Sequence, residues 1–355
     1  MARALALTAN GRDTSTPNPN VGCVLVKGGR VIGEGWHAKA GEPHAEANAL
    51  AAATESAEGA TAYVTLEPCS HHGRTPPCAD ALAKAKVARV VAALEDPNPK
   101  VKGQGAARLR EAGIAYASGL MEAQAREVHK GYLTRMTKGR PWMRIKAAAT
   151  LDGRIALANG ESKWITSEAA RRDVHALRAR SCAMLTGIGT VLRDDPQLTV
   201  RDVPCSRQPR RILIDSRLDI GAEARILQGT PLIIFTVSTD AAKRTRLEAL
   251  GADVVTAATD VSKAGKTDLA AIVRALGERG FNEVTIETGA KLNGSLLAAG
   301  VIDEIVLYLA PKLFGDGAQG LFALPELTTL DQALKPRVTD VRHVGEDLRI
   351  TMRFA

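Results

Sequence analysis

Three residues able to hold a transition metal stand at set separations in the first part of this chain, and they restrict its fold more than any bulk property. They are His44, in His44-Ala45-Glu46, then Cys69 after Pro68, then Cys78. One neutral imidazole and two thiolates fill three tetrahedral positions of Zn²⁺ and leave the fourth for water. Two thiolates cancel the formal charge of the ion, yet the water it holds is still acidified far below its bulk pKa. A carboxylate beside that water can take its proton and hand it to a departing group, which gives Glu46 its expected role. Taken singly, each residue has a bland explanation, because His-x-Glu arises by chance and a free cysteine is often a small buried hydrophobe. Their placement favours the metal. Residues 45–53, Ala-Glu-Ala-Asn-Ala-Leu-Ala-Ala-Ala, read as a helix opening at His44. Pro68 is expected in the first turn of another helix, where proline is favoured and a following thiol is acidified.

In this order the residues have the sequence form of a zinc-dependent nucleobase deaminase. Most such enzymes have two residues between the cysteines, whereas this chain has the eight from Ser70 to Pro77. Together with Thr16-Pro17-Asn18-Pro19-Asn20-Val21-Gly22 and Gly35-Trp36-His37, this spacing resembles the deaminase half of the bifunctional riboflavin-biosynthesis deaminase–reductase family. The resemblance implies a cytidine-deaminase-like α/β/α zinc domain, with Asn18 and His37 contacting the base or sugar. Arg74, within the inserted segment, could hold a phosphate or carbonyl. His71 and His72 are not expected as ligands, since His44 and the two cysteines already make an open three-ligand site.

With 355 residues, two domains are the natural expectation. A hydrophobic content of 45% and a charged content of 24% are those of an ordinary globular protein. At 3% aromatics, its cores must be built from Ala, Val, Leu and Ile. No run of 18 apolar residues offers a membrane span. The start, broken at Asn10, Gly11 and Arg12, does not read as a secretory signal. Five cysteines, two of them assigned to metal, suit a reducing cytoplasm better than a disulfide framework. The net charge of +8 is spread without a polybasic tail, which points to small phosphorylated ligands rather than nucleic acid.

Along the first half, residues 1–12 read as a short helix and Asp13 to Asn20 as a loop. Two strands, Val21 to Val26 and Arg30 to Glu34, flank a Gly28-Gly29 turn. Strand Thr61 to Leu66, helix Cys78 to Lys86 and strand Ala88 to Leu94 follow, then the segments Ala106–Ala112 and Ile114–Ala117. This alternation predicts an α/β layered domain with both zinc-bearing helices on one face. Asp96-Pro97-Asn98-Pro99 is turn-like. Met121 to Lys138 reads as an amphipathic helix broken by Gly139-Arg140-Pro141, so the domain boundary is placed between residues 139 and 140.

The second half begins with a strand, Trp142 to Ala149, and a Thr150-Leu151-Asp152-Gly153-Arg154 turn. A helix from Arg171 to Arg180, capped by Ser167, and a buried strand from Cys182 to Leu185 come next. Thr186 to Thr190 turns out of that strand, and Asp194-Asp195-Pro196-Gln197-Leu198-Thr199-Val200-Arg201 follows. The ordering from Lys146 to Arg201 resembles the reductase half of the same family. That likeness implies a dihydrofolate-reductase-like α/β domain over 140–355 and a requirement for NADPH. A strand from Phe281 to Glu287 runs through Thr288-Gly289 into a helix start, where backbone N–H groups can receive a pyrophosphate. Gly315-Asp316-Gly317-Ala318-Gln319-Gly320 matches a dinucleotide motif literally, but too little chain follows for a nucleotide-binding array, so it reads as a loop.

By family position, Ser162, Arg178, Leu198, Arg201 and Glu287 would hold substrate. Ala148, Trp164, Thr190, Asp194 and Ser216, with the loop Gly289, Ala290, Lys291, Leu292, Asn293, Gly294 and Ser295, would hold cofactor. Lys146 is the candidate to stabilise or protonate an opened sugar. The expected chemistry is hydrolysis of the 2-amino group of 2,5-diamino-6-ribosylamino-4(3H)-pyrimidinone 5′-phosphate. Reduction of the ribosyl to a ribityl group with NADPH then follows, because the opened sugar presents an imine that can accept hydride. The family implies a homo-oligomer, a dimer or tetramer. Two readings compete: a tRNA or DNA base deaminase with an accessory domain, and an intact deaminase whose second half only binds or regulates.

Overall fold

A computed structural model describes residues 1–71 and 76–354. Two compact units divide the chain, Met1–Gly139 and Arg140–Ala355.

In the first unit, α1 (Ala2–Leu7) leads into β1 (Gly22–Lys27) and β2 (Arg30–Trp36), then α2 (Ala45–Ala51) and β3 (Thr61–Val64). Next come α3 (Cys78–Lys84), β4 (Arg89–Ala92), α4 (Gln104–Glu111), β5 (Ala115–Ser118) and α5 (Glu122–Lys138). The sheet order is β2-β1-β3-β4-β5, with β1 antiparallel to both its neighbours and β3, β4 and β5 parallel. One sheet face carries Leu25, Ala62, Val64 and Val90, which meet Ala45, Ala49, Ala79, Leu82 and Leu109 of α2, α3 and α4. The other packs Leu66 and Leu94 against Ala125 and Tyr132 of α5 and Leu5 of α1. Three layers result. Alanine contacts let the helices lie close to the sheet, as the scarcity of aromatic residues requires. Gly33 and Gly35 carry this furthest, since a Cβ at Gly35 would stand 2.3 Å from Ala45 O and Ala49 N. Only glycine lets β2 press α2, and with it His44, into place.

Pro68 does not open a helix. The chain around it is irregular, and α3 begins at Cys78 with Pro77 as its N-cap. The reason is local: Glu67 buries its carboxylate beneath the N–H groups of Asp96, Gly103 and Ala106, at 3.2, 3.1 and 3.0 Å, which anchors 67–69 as a loop.

The second unit holds β6 (Trp142–Thr150), β7 (Arg154–Ala156), α6 (Glu168–Ala179), β8 (Ala183–Gly187), α7 (Ile188–Asp194) and β9 (Arg210–Ile214). It continues with β10 (Leu232–Thr236), α8 (Ala241–Ala249), β11 (Asp253–Thr256), α9 (Leu269–Glu278), β12 (Glu283–Ile286) and α10 (Ala290–Ala298). It ends with β13 (Glu304–Ala310), β14 (Gln319–Gly320), β15 (Arg337–Val344) and β16 (Asp347–Arg353). Nine strands form one sheet in the order β11-β10-β9-β8-β12-β6-β13-β16-β15, in which only β16 pairs antiparallel, with β13 and β15. Central strands such as Leu-Ile-Ile-Phe-Thr of β10 are buried throughout, as a parallel sheet covered on both faces demands. Of the segment 186–190, expected as a turn, Ile188 onward is helical, and the expected cap of α6 is present, with Ser167 Oγ accepting from Ala170 N. Asp152 grips the Gly315–Gly320 loop by accepting from Phe314 N and Gly315 N at 3.0 and 2.8 Å, and β14 pairs with β7, so this segment is no nucleotide fold.

Candidate active sites

In the first unit His44 is the N-cap of α2, Cys78 opens α3, and Cys69 lies on the anchored loop after β3. Their donor atoms all lie within 4.8 Å of one another. Cys69 Sγ is 3.6 Å and Cys78 Sγ 3.4 Å from His44 Nδ1. A tetrahedral ion with Zn–S of about 2.3 Å and Zn–N of about 2.0 Å sets sulfur and nitrogen roughly 3.5 Å apart, so the donor set fits zinc. Cys69 also receives the Cys78 backbone N–H at 3.4 Å. The helix end therefore acts on Cys69 across space, without the sequence contact expected of Pro68. A hydrogen bond from the Cys78 thiol, with help from His44, brings the Cys69 thiol down to about 4, while Cys78 is pushed up. Metal loading must displace the remaining proton.

Glu46 is buried beside these donors, 3% exposed, and its carboxyl is pushed up by burial and then by the nearby Cys69 charge. A carboxyl raised in this way holds a proton more readily than an ordinary one. His37 is buried with its ring edge-on to His44, centroids 5.1 Å apart. Its Nδ1 lies 3.1 Å from Pro43 O and its Nε2 3.0 Å from Asn18 Nδ2, so the ring donates through Nδ1 and accepts from Asn18. His37 thus stands at the metal ligand His44, and Asn18 is joined to it through His37. Arg74 and His72 lie outside the described residues, and His71 is exposed and apart from the donor cluster. Sequence reasoning missed Glu67, whose three accepted N–H bonds fix the loop bearing Cys69. Asp96, read from the sequence only as part of a turn that relatives use near substrate, is raised to about 6 by burial and accepts from Tyr132 Oη at 3.1 Å.

The second unit contains a cavity of about 1310 Å³. It lies at the carboxyl ends of β8 and β12, where successive connections leave to opposite sides, the usual ligand position of an open α/β sheet. Lys146 and the expected substrate residues Ser162, Arg178, Leu198, Arg201 and Glu287 all line it. So do the expected cofactor residues Ala148, Trp164, Thr190, Asp194 and Ser216, with Gly289 to Asn293 and Ser295. Gly294 does not. It faces away, and a Cβ there would meet Ala323 O at 2.0 Å, so its task is close packing of α10 on the following loop. The N-terminus of α10, with Gly289 as N-cap, faces the cavity and fits a dinucleotide's pyrophosphate.

Glu287 is the electrostatic centre of the cavity. Its Oε1 and Oε2 accept from Arg178 Nε and Nη2 at 2.6 and 2.9 Å, and Lys146 Nζ lies 3.8 Å from Oε2. Although burial opposes ionisation, Arg178 and Lys146 bring the Glu287 carboxyl down to about 2. Lys146 is itself lowered, by burial first and by the Arg178 charge. Arg178 also donates Nη1 to Thr199 O at 3.0 Å, so its guanidinium is largely engaged, whereas Arg201 reaches only Thr199 and Gln197. Between them stands His175, one turn before Arg178 on α6. Its Nδ1 accepts Arg201 N at 3.2 Å and its Nε2 is 3.2 Å from Asp202. The i, i+3 spacing with Arg178 was the signal that it shares that face. Trp164 is 66% exposed at the cavity and is steadied by Arg171, whose guanidinium carbon lies 4.8 Å from the ring centre.

Fold and sites together define a class: a zinc deaminase module followed by an α/β reductase module with a dinucleotide-sized cavity. Residues 1–94 match the cytidine and deoxycytidylate deaminase zinc-binding region, and residues 141–350 match the RibD C-terminal domain. The riboflavin biosynthesis protein RibD of Escherichia coli is 49% identical over 98% of this chain and 96% of its own length. That of Haemophilus influenzae is 45% identical over 99% and 95%. Among solved structures, Acinetobacter baumannii RibD superposes with a TM-score of 0.91 at 42% identity, covering 99% of this chain and 97% of that one. A diaminohydroxyphosphoribosylaminopyrimidine deaminase/5-amino-6-(5-phosphoribosylamino)uracil reductase from Thermotoga maritima gives 0.87 at 35% identity, covering 99% and 97%. The chain belongs to the RibD family. It is a bifunctional deaminase and reductase of riboflavin biosynthesis that uses Zn²⁺ and NADPH, with a dihydrofolate-reductase-like second domain. The nucleic-acid deaminase and the inert-second-half readings are thereby set aside. No described helix is long and apolar enough to cross a membrane.

Proposed function

We propose that residues 1–139 carry the deaminase and residues 140–355 the reductase, acting in that order on a pyrimidine bearing a ribosyl phosphate. His44, Cys69 and Cys78 would hold zinc, which when bound supplies a water acidified for attack on the amino-bearing carbon. Glu46 would take a proton there and deliver it to the departing ammonia, since its buried carboxyl lies against Cys69, His44 and Cys78. Asn18 and His37 orient the ring or sugar, with the His37 tautomer set by Pro43 O. Arg74 completes the substrate set from the inserted segment.

In the second domain, NADPH when bound would supply the hydride that the opened sugar accepts at C1′. Lys146, partly desolvated on β6, would give the proton to the imine nitrogen of the opened sugar or hold the charge that develops there. Glu287 keeps Lys146 and Arg178 in place, Arg201 takes the phosphate, and Ser162 and Leu198 bound the substrate. Ala148, Trp164, Thr190, Asp194, Ser216 and the 289–295 loop hold the dinucleotide, with Gly294 contributing through packing alone. The observation that carries the reading is the meeting of three metal-binding donors from separate elements beside a buried carboxyl. Its test is metal analysis with incubation in the diaminopyrimidine ribosyl phosphate, with and without NADPH. One zinc per chain, ammonia release without NADPH, and NADPH oxidation only after deamination are expected. Absence of zinc from an active enzyme, or NADPH oxidation insensitive to the sugar phosphate, overturns it.

We also propose a cytoplasmic homo-oligomer, a dimer or tetramer. Five free cysteines suit a reducing compartment, and edge strand β15 exposes Val338 and Val341, an apolar strip that a second copy would cover.

A further inference from the structure

We infer that a basic end wall of the reductase cavity, made by Arg217, Lys263 and Lys266, reads the 2′-phosphate that distinguishes NADPH from NADH. The inference rests on the reductase reading of that cavity and names its cofactor selectivity. The cavity crosses the carboxyl ends of β12, β8 and β9, lined in turn by Gly289, Gly187 and Ser216, and it also reaches the loop after β11 through Asp260, Lys263, Lys266 and Thr267. A dinucleotide with its pyrophosphate at α10 and its adenosine over β9 therefore directs its ribose toward that loop. The loop is held in shape: Thr259 bridges to Thr267, and Asp260 N donates to Lys266 O at 2.8 Å. Thr267 N in turn donates to Ser216 Oγ at 3.3 Å, which ties the two lysines to the end of β9.

Charge decides which ribose this wall accepts. A site for NADH calls for a carboxylate to accept from the free 2′-hydroxyl, whereas a 2′-phosphate calls for arginine. Asp215 is the carboxylate at the end of β9, but it is fully buried and accepts from Arg217 N and Ile220 N at 3.3 and 2.9 Å. Asp260 accepts from Ser262 N at 2.8 Å, and Asp219 lies between Arg217 at 3.0 Å and Lys243 at 3.7 Å. Three cations and three carboxylates line this end, but each carboxylate is already engaged, Asp215 and Asp260 by backbone N–H groups and Asp219 by two cations. The Arg217 side chain is 76% exposed, and an exposed ion pair such as Arg217–Asp219 is weak enough to exchange for a doubly charged phosphate.

The test is equilibrium binding of NADPH, NADH, 2′,5′-ADP and 5′-AMP to the full chain by calorimetry, with Arg217→Ala and the Lys263→Ala/Lys266→Ala pair. Each cation removed should weaken NADPH and 2′,5′-ADP roughly tenfold, about 1.4 kcal/mol, and leave NADH and 5′-AMP within about twofold. Added salt should weaken NADPH more steeply than NADH in the wild type, and the variants should lose that difference. The wall is overturned if the variants bind NADPH as the wild type does, or if NADPH and NADH weaken by one factor. A wild type that binds neither dinucleotide defeats the reductase reading itself, whereas a selective wild type with unaffected variants removes only the wall.

Discussion

Replacing Glu287 by glutamine keeps the shape of the cavity and removes one charge from a buried cluster of three. The carboxyl is brought from the ordinary glutamate value of 4.5 down to about 2. At about 1.36 kcal/mol per pKa unit, that difference is worth on the order of 3 kcal/mol to the folded state at neutral pH. Lys146 adds to this shift after Arg178, but from 3.8 Å and with its own pKa lowered by burial and by the Arg178 charge. The stabilisation therefore lies chiefly in the two bonds from Arg178, at 2.6 and 2.9 Å. Glu287→Gln should lower the thermal midpoint of the second domain by about 6–12 °C, at roughly 2–4 °C per kcal/mol for a unit of this size. The folded-state pKa is the lower one, so the stabilisation is complete above the ordinary carboxylate range and fades as pH falls from about 4.5 toward 2. The wild-type advantage in urea should accordingly be full at pH 7, fall to roughly half near pH 3 and vanish toward pH 2 and below. Zinc content and ammonia release should stay at the wild-type level. A variant melting within 2 °C of wild type at pH 7, by a criterion of about half a kcal/mol, would refute the assignment of this energy to the Arg178–Glu287 pair.

Three further outcomes are expected. Glu46→Gln should retain zinc and lose deamination by roughly 10²–10⁴-fold, read as ammonia release, because a positioned proton carrier contributes about that much. Gly105→Ala would place a Cβ 2.0 Å from Pro68 O, so it should displace the Cys69 loop and lower zinc occupancy in a chelator competition, while NADPH affinity is unchanged. Lys146→Met should abolish NADPH oxidation with the deaminated product and spare ammonia release. Retained reductase turnover would remove Lys146 from the chemistry.

Much of the site was legible from residue types and order because metal binding is chemically narrow. Few side chains hold zinc, and His44, Cys69 and Cys78 come in an order that a folded α/β unit can bring together. Helix periodicity and a glycine stop marked Met121–Lys138, observed as Glu122–Lys138, and a buried hydrophobic run marked Cys182–Leu185, observed as Ala183–Gly187. Local pattern failed where long-range contacts decide the backbone. Pro68 looked like a helix start, yet the loop is anchored by the three N–H groups that Glu67 accepts from 96–106. Segment 186–190 looked like a turn, yet from Ile188 the chain winds as α7 with Val191 in the hydrophobic core.

Composition and motif order thus determined the chemistry by themselves: a zinc-type donor set, a proton carrier next to it, and a glycine-opened helix for an anion. Tertiary structure alone decided which charges face one another. That Arg178 is engaged by Glu287, that His175 stands beside Arg201, that Gly294 packs and does not bind, and that Lys263 and Lys266 lie along the same cavity as Ser216 follow from the sheet order β11-β10-β9-β8-β12-β6. Pairings between distant strands leave no trace in local periodicity, because Coulomb energy depends on distance and burial in space rather than on separation along the chain.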